Sequence, residues 1–108
     1  MSHISTHVLD LARGKPASGI LVNLHQLREG SWVPLESLKT NQDGRARFEN
    51  TGELPATGSY RLIFETKAYL DDGLYPEITI TFQLSDPTAN YHLPLLLSPN
   101  GYTTYRGS

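Results

Sequence analysis

Apolar and polar residues alternate along much of this chain with a period of two, and helical periodicity is weak throughout. The clearest segment runs from Glu77 to Leu84. Ile78, Ile80, Phe82 and Leu84 share one face, and Glu77, Thr79, Thr81 and Gln83 the other. Successive side chains of a strand point to opposite sides, so a strand with one buried face requires this pattern. Ile20, Val22 and Leu24 alternate with Leu21, Asn23 and His25, and Tyr60, Leu62 and Phe64 with Arg61, Ile63 and Glu65. Tyr91, Leu93, Leu95 and Leu97 share a face opposite His92, Pro94, Leu96 and Ser98. A first strand is expected near Ile4 to Leu11, and Ala46 and Phe48 mark the inner side of another.

Turn chemistry separates the runs. Arg13-Gly14-Lys15-Pro16 follows the first strand, and Glu29-Gly30-Ser31 sits where a hairpin loop belongs. Asn41-Gln42-Asp43-Gly44, Asp71-Asp72-Gly73, Asp86-Pro87 and Pro99-Asn100-Gly101 are further breaks. Gly52 to Gly58, with Pro55 inside, reads as a loop with at most one short helical turn. The sum is about eight short strands at regular spacing, which predicts an all-β, eight-stranded antiparallel β-sandwich. With 108 residues, one domain spanning 1–108 is expected.

Composition narrows the function. Nine Lys and Arg against eleven Asp and Glu give a net charge of -2, which offers no basic stripe for a nucleic acid. No apolar run is long enough for a membrane-spanning helix, and Met1 to Thr6 does not read as a secretory signal. A cytoplasmic location is therefore expected. The absence of cysteine excludes disulfides and thiolate catalysis.

Chemistry falls to His3, His7, His25, His92 and a few partners. Histidine is the usual general base near neutral pH, with an unperturbed pKa of about 6.5. His25 alternates with buried residues and should simply face outward, and His3 sits near a frayed end and is expected to be inert. His7 and His92 lie mid-strand; each taken singly reads best as an ordinary surface histidine. No HExxH or Cys-His spacing exists, and neither a GxSxG elbow nor a phosphate loop, so no metal and no cofactor are expected. Arg45 leaves the Asp43-Gly44 turn on the side away from Ala46 and Phe48, where its guanidinium faces solvent or an electron-rich group. Gly101 to Ser108 is strand-like to its last residue. A functional reading puts Tyr105, Arg106 and the Ser108 carboxylate in a pocket; the plainer reading is an ordered edge strand.

Several segments together resemble the transthyretin-like family: His7-Val8-Leu9-Asp10 with Gly14-Lys15-Pro16-Ala17, Thr40 to Arg45, Gly58-Ser59-Tyr60-Arg61, Tyr75-Pro76-Glu77, and Tyr91 to Pro99. The closing Tyr105-Arg106-Gly107-Ser108 is similar to the terminal tetrapeptide of the 5-hydroxyisourate hydrolases, the enzymatic branch of that family. The resemblance implies a sandwich of transthyretin type assembled as a homotetramer, a dimer of dimers. It also implies hydrolysis of 5-hydroxyisourate to 2-oxo-4-hydroxy-4-carboxy-5-ureidoimidazoline in urate degradation, without a cofactor. His7, Arg45, His92 and Ser108 would be catalytic, and His7, Arg45, Tyr105 and Arg106 would bind the substrate. One histidine would activate water and the other return the proton, with the order left open. Arg45 would stabilise the charge on the attacked carbonyl oxygen. The hormone-carrying branch has lysine where His7 stands and lacks the closing tetrapeptide. A carrier of an aromatic small molecule is thus the alternative. A purely accessory sandwich is a third, and it leaves the histidine–arginine–tail set unexplained.

Overall fold

The computed structural model describes residues 3–50 and 57–107. These form nine strands: β1 (Ile4–Asp10), β2 (Lys15–Pro16), β3 (Leu21–Arg28), β4 (Ser31–Lys39), β5 (Arg45–Phe48), β6 (Gly58–Glu65), β7 (Glu77–Leu84), β8 (Tyr91–Ser98) and β9 (Gly101–Thr104). No helix occurs among the described residues, and positions 51–56, which carry most of the expected loop, lie outside them.

Two sheets share the strands. One runs β4-β3-β6-β7, antiparallel throughout. The other runs β2-β1-β8-β9. Along the free edge of β1, β2 pairs with its Leu9–Asp10 end and β5 with Ile4–His7. Eight of the strands answer to the eight expected, although β4 does not alternate cleanly, and the two-residue β2 is a ninth. One pairing departs from an all-antiparallel sandwich: β1 and β8 lie parallel over seven register pairs. Alternation specifies which face of a strand is buried but carries no information on its direction. Parallel neighbours also need a long connection, which the 80 residues between Asp10 and Tyr91 supply.

The core is what the alternation requires. Ile4 and Val8 of β1, Val22 and Leu24 of β3, Leu62 and Phe64 of β6, Ile78 and Leu84 of β7, and Leu95 and Leu97 of β8 are fully buried or nearly so. Phe82 of one sheet meets Tyr91 of the other with ring centroids 6.4 Å apart, which joins the two inner faces. Each such side chain contributes roughly 1.5–3 kcal/mol on burial. A one-residue slip would put that set on the solvent face, so register and orientation are fixed together.

The end of the chain is less regular than its sequence suggests. β9 pairs with β8 from Ser98↔Gly101 to Leu95↔Thr104. Pro94 then interrupts the ladder, because it has no N–H to donate. Pairing resumes at an isolated bridge, His92↔Gly107, where the Gly107 N–H donates to the His92 carbonyl at 2.7 Å. The tail therefore keeps the register of β9 across the gap and returns to β8 beside His92.

Candidate active site

The outer face of the β1-β8 sheet carries His7, Arg45 and His92, three of the residues singled out for chemistry. Thr6 and Val8 of β1 point inward, so Ser5 and His7 point outward. Ala46 and Phe48 of β5 point inward, so Arg45 and Arg47 point outward. On β8, Tyr91 and Leu93 face the core and His92 does not. The registers align these positions in two rows across the sheet. One row runs Arg45, His7, Pro94; the next runs Arg47, Ser5, His92, Gly107. Continued past Thr104, the β9 register brings Tyr105 beside Pro94 in the first row. Adjacent strands lie about 4.8 Å apart, so side chains in one row are direct neighbours.

Local chemistry delivers Arg45. Asn41 Oδ1 accepts from the Asp43 and Arg45 N–H groups at 2.9 and 3.0 Å, an Asx-type turn. Gly44 closes it at a φ of 75°, and the Val8 N–H donates to the Gly44 carbonyl at 2.7 Å. A Cβ on Gly44 would collide with the Val8 carbonyl oxygen, so glycine is required both by conformation and by space.

Two adjoining clefts open on this face. One, of about 730 Å³, is lined by His3, Ser5, Arg45, Arg47, Asn90 and His92 among others. The other, of about 450 Å³, is lined by His7, His92, Pro94, Tyr105 and Arg106 among others. His92, Arg106 and Gly107 border both. No Asp or Glu side chain lines either cleft among the described residues, so the walls are cationic or neutral.

His92 stands at the junction. Its Nδ1 lies 2.9 Å from the Ser5 hydroxyl. On the other flank, a Cβ at Gly107 would come within 2.9 Å of His92 Cδ2, so the tail can pass here only as glycine. Burial first, then the charge of Arg45 and the neighbouring His7, hold the His92 imidazole below its usual 6.5. It is therefore neutral near pH 7 and able to accept a proton.

Arg106 lays its guanidinium over the Tyr91 ring, 4.3 Å from the centroid, with Nη2 donating to the Asn90 carbonyl at 3.4 Å. Tyr105 is 53% exposed, so it is free to meet a ligand or a second subunit. Ser108 lies outside the described residues. His3 corrects an expectation: it is not frayed. Its carbonyl accepts from the Tyr91 N–H at 2.8 Å, and its Nε2 lies 2.7 Å from Arg47 Nη2. Its Nδ1 is 3.4 Å from Glu49, which also pairs with Arg47 at 3.3 Å. His25 lies on the opposite sheet, against Arg61, apart from this site. Sequence reasoning missed Ser5, Asn90 and Gly107 as neighbours of His92. Ser5 lies two residues before His7 and so shares its face of β1. The other two depend on the tail's path and on the β1-β8 register.

Fold and site together define a transthyretin-type sandwich with a histidine–arginine cleft on the outer face of one sheet. The chain belongs to the HIUase/Transthyretin family, whose model matches residues 4–107. It is 43% identical to the 5-hydroxyisourate hydrolase of Salmonella typhimurium over 109 residues, covering 97% of this chain and 80% of that protein. The structure of Klebsiella pneumoniae 5-hydroxyisourate hydrolase superposes with a TM-score of 0.83 at 38% identity, covering 100% of both chains. Sea bream transthyretin, solved in complex with thyroxine, superposes with a TM-score of 0.82 at 27% identity, covering 96% of this chain and 93% of that one.

Proposed function

We propose that this chain is a 5-hydroxyisourate hydrolase that works without a cofactor, in the degradation of urate. The observation that carries the reading is the His92 imidazole beside the Ser5 hydroxyl, sharing its clefts with His7, Arg45 and the Tyr105–Gly107 tail. The names of the relatives support the same substrate.

The reaction adds water to a ring carbonyl carbon and breaks the adjoining carbon–nitrogen bond, leaving a carboxylate. His92 takes a proton from the attacking water as its oxygen bonds to that carbon. Arg45 faces the oxygen that gains negative charge, where a fixed guanidinium has its largest effect. The proton then passes to the departing ring nitrogen, with His7 donating a hydrogen bond to that side of the ring. Tyr105 provides a flat wall for a planar heterocycle, and Arg106, its guanidinium over Tyr91, would bind the substrate from the border of the clefts. Ser108 completes the set through its hydroxyl or its carboxylate.

Assembly as a homotetramer, a dimer of dimers, belongs to the reading. One copy leaves the outer face of the β1-β8 sheet open, and a facing copy would roof it and exclude bulk water.

Substrate generated from urate by urate oxidase has an ultraviolet signal whose decay tests the proposal. Wild-type protein should accelerate the decay. His7→Ala, Arg45→Ala and His92→Ala should each lose on the order of a hundred- to ten-thousand-fold with the fold intact. Unaccelerated decay would refute the activity. The similarity to thyroxine-bound sea bream transthyretin favours a second reading, a carrier of an aromatic ligand. Thyroxine binding without turnover would support it.

A further inference from the structure

We propose that Ser5 is a positioning residue that fixes the tautomer and the ring orientation of His92. The proposal rests on the hydrolytic reading of the cleft and adds to it the group that prepares the base. Ser5 and His92 are direct register partners across the parallel β1-β8 pair, so their side chains leave the sheet side by side. The Ser5 Oγ to His92 Nδ1 distance of 2.9 Å is that of a well-formed hydrogen bond. The tail passes close to the opposite flank of the ring, where a Cβ at Gly107 would crowd Cδ2. In a histidine ring, Nδ1 and Cδ2 flank Cγ, the atom joined to the backbone through Cβ, and Nε2 lies on the far edge. A ring held at Nδ1 and flanked at Cδ2 directs Nε2 away from the strands and into the clefts that His92 lines.

The chemistry follows from the hydroxyl. A base at Nε2 needs its lone pair there and its hydrogen on Nδ1, and that hydrogen requires an acceptor. Ser5 Oγ accepts it in the neutral ring and continues to accept it once Nε2 has taken the proton from water. The same role falls to a carboxylate in Ser-His-Asp triads, where it also stabilises the imidazolium. A hydroxyl orients the ring but adds no negative charge, so the base stays weak and neutral. Arg45 on β5 and His7 on β1 act in the same direction. Arg47 and Tyr105 also border the clefts, with His3 beyond Arg47 and the Arg106 guanidinium over Tyr91. Glu49, the carboxylate at this end of β5, is engaged by Arg47 and His3.

Three substitutions and two readouts test the role. Ser5→Ala should lower kcat about 10- to 100-fold, the usual effect of losing a partner that orients a functional histidine, with little change in KM. Ser5→Thr keeps the hydroxyl and should restore most of the rate. Ser5→Asp should raise the acid-limb pKa of the rate profile, because a carboxylate favours the charged ring. In the free protein, nitrogen NMR of His92 should show hydrogen on Nδ1 in the wild type and a mixture of tautomers in Ser5→Ala. That measurement needs no substrate, so it separates failure of this proposal from failure of the hydrolase reading. An unchanged His92 tautomer in folded Ser5→Ala overturns the proposal. So does a scrambled tautomer with undiminished kcat, or an Ala variant that Thr does not improve upon.

Discussion

A histidine is useful as a base only in its neutral form, and the surroundings of His92 favour that form. Burial disfavours the imidazolium, and Arg45 and His7 add to the effect. The sign of the pH dependence follows. The lowered pKa keeps the base competent through neutral pH, and competence is lost as pH falls through a value below the usual 6.5. A plot of kcat/KM against pH should therefore hold level through pH 7 and drop only on the acid side of about 6.5. Replacing Arg45 by methionine should move that drop to higher pH as well as lower the plateau. A limb above pH 7 in the wild type would mean that the titrating base is not His92. His92 was legible as an outward histidine from two-residue parity, and His7 as a mid-strand one. Their proximity was not, because parity gives the face of a strand and not its neighbour.

At the scale of elements, the site depends on a turn that sequence reasoning read only as a break and on a tail that it read only as a strand. Asn41 to Gly44 starts β5 in the register that sets Arg45 beside His7. Gly44 is the rigid point of that turn, as its φ of 75° and its contact with the Val8 carbonyl oxygen demand. Gly44→Ala should cost about 1–2 kcal/mol from the left-handed backbone alone, with more from the collision. The melting temperature should fall by several degrees, and activity should fall with it as Arg45 loses register. A melting curve identical to wild type would show that β5 is not held as described. The tail is the second case. Its tyrosines and threonines read as strand to the end, yet Pro94 on the partner strand interrupts the ladder, and a segment's own sequence does not report its partner's missing donor. The parallel direction of β1 against β8 was hidden for the same reason. The burial faces of β3, β6 and β7 were legible, because alternation depends only on local spacing; on β8 Pro94 breaks the pattern, buried although it lies on the face opposite Tyr91 and Leu93.

In the whole molecule, the two sheets divide their duties: their inner faces make the core and one outer face makes the site. That outer face is open in a single copy, with Tyr105 half exposed and Arg45 at the surface. A second copy packed against it would supply the water-poor surroundings in which a guanidinium acts most strongly. A variant that remains folded but stays monomeric by sedimentation should lose most of its turnover, whereas a fully active monomer would show that one copy suffices. The family relationship settles the architecture, but it spans both hydrolases and a thyroxine-bound transthyretin, so the chemistry has to be tested at the residues themselves. The most direct test is a double-mutant cycle on His7 and His92, read as kcat/KM for decay of freshly generated 5-hydroxyisourate. Groups that act as one unit lose their effect together, so the His7→Ala/His92→Ala double variant should be no slower than about the worse single variant. Losses that multiply, or single variants as fast as wild type, would contradict a shared catalytic cleft.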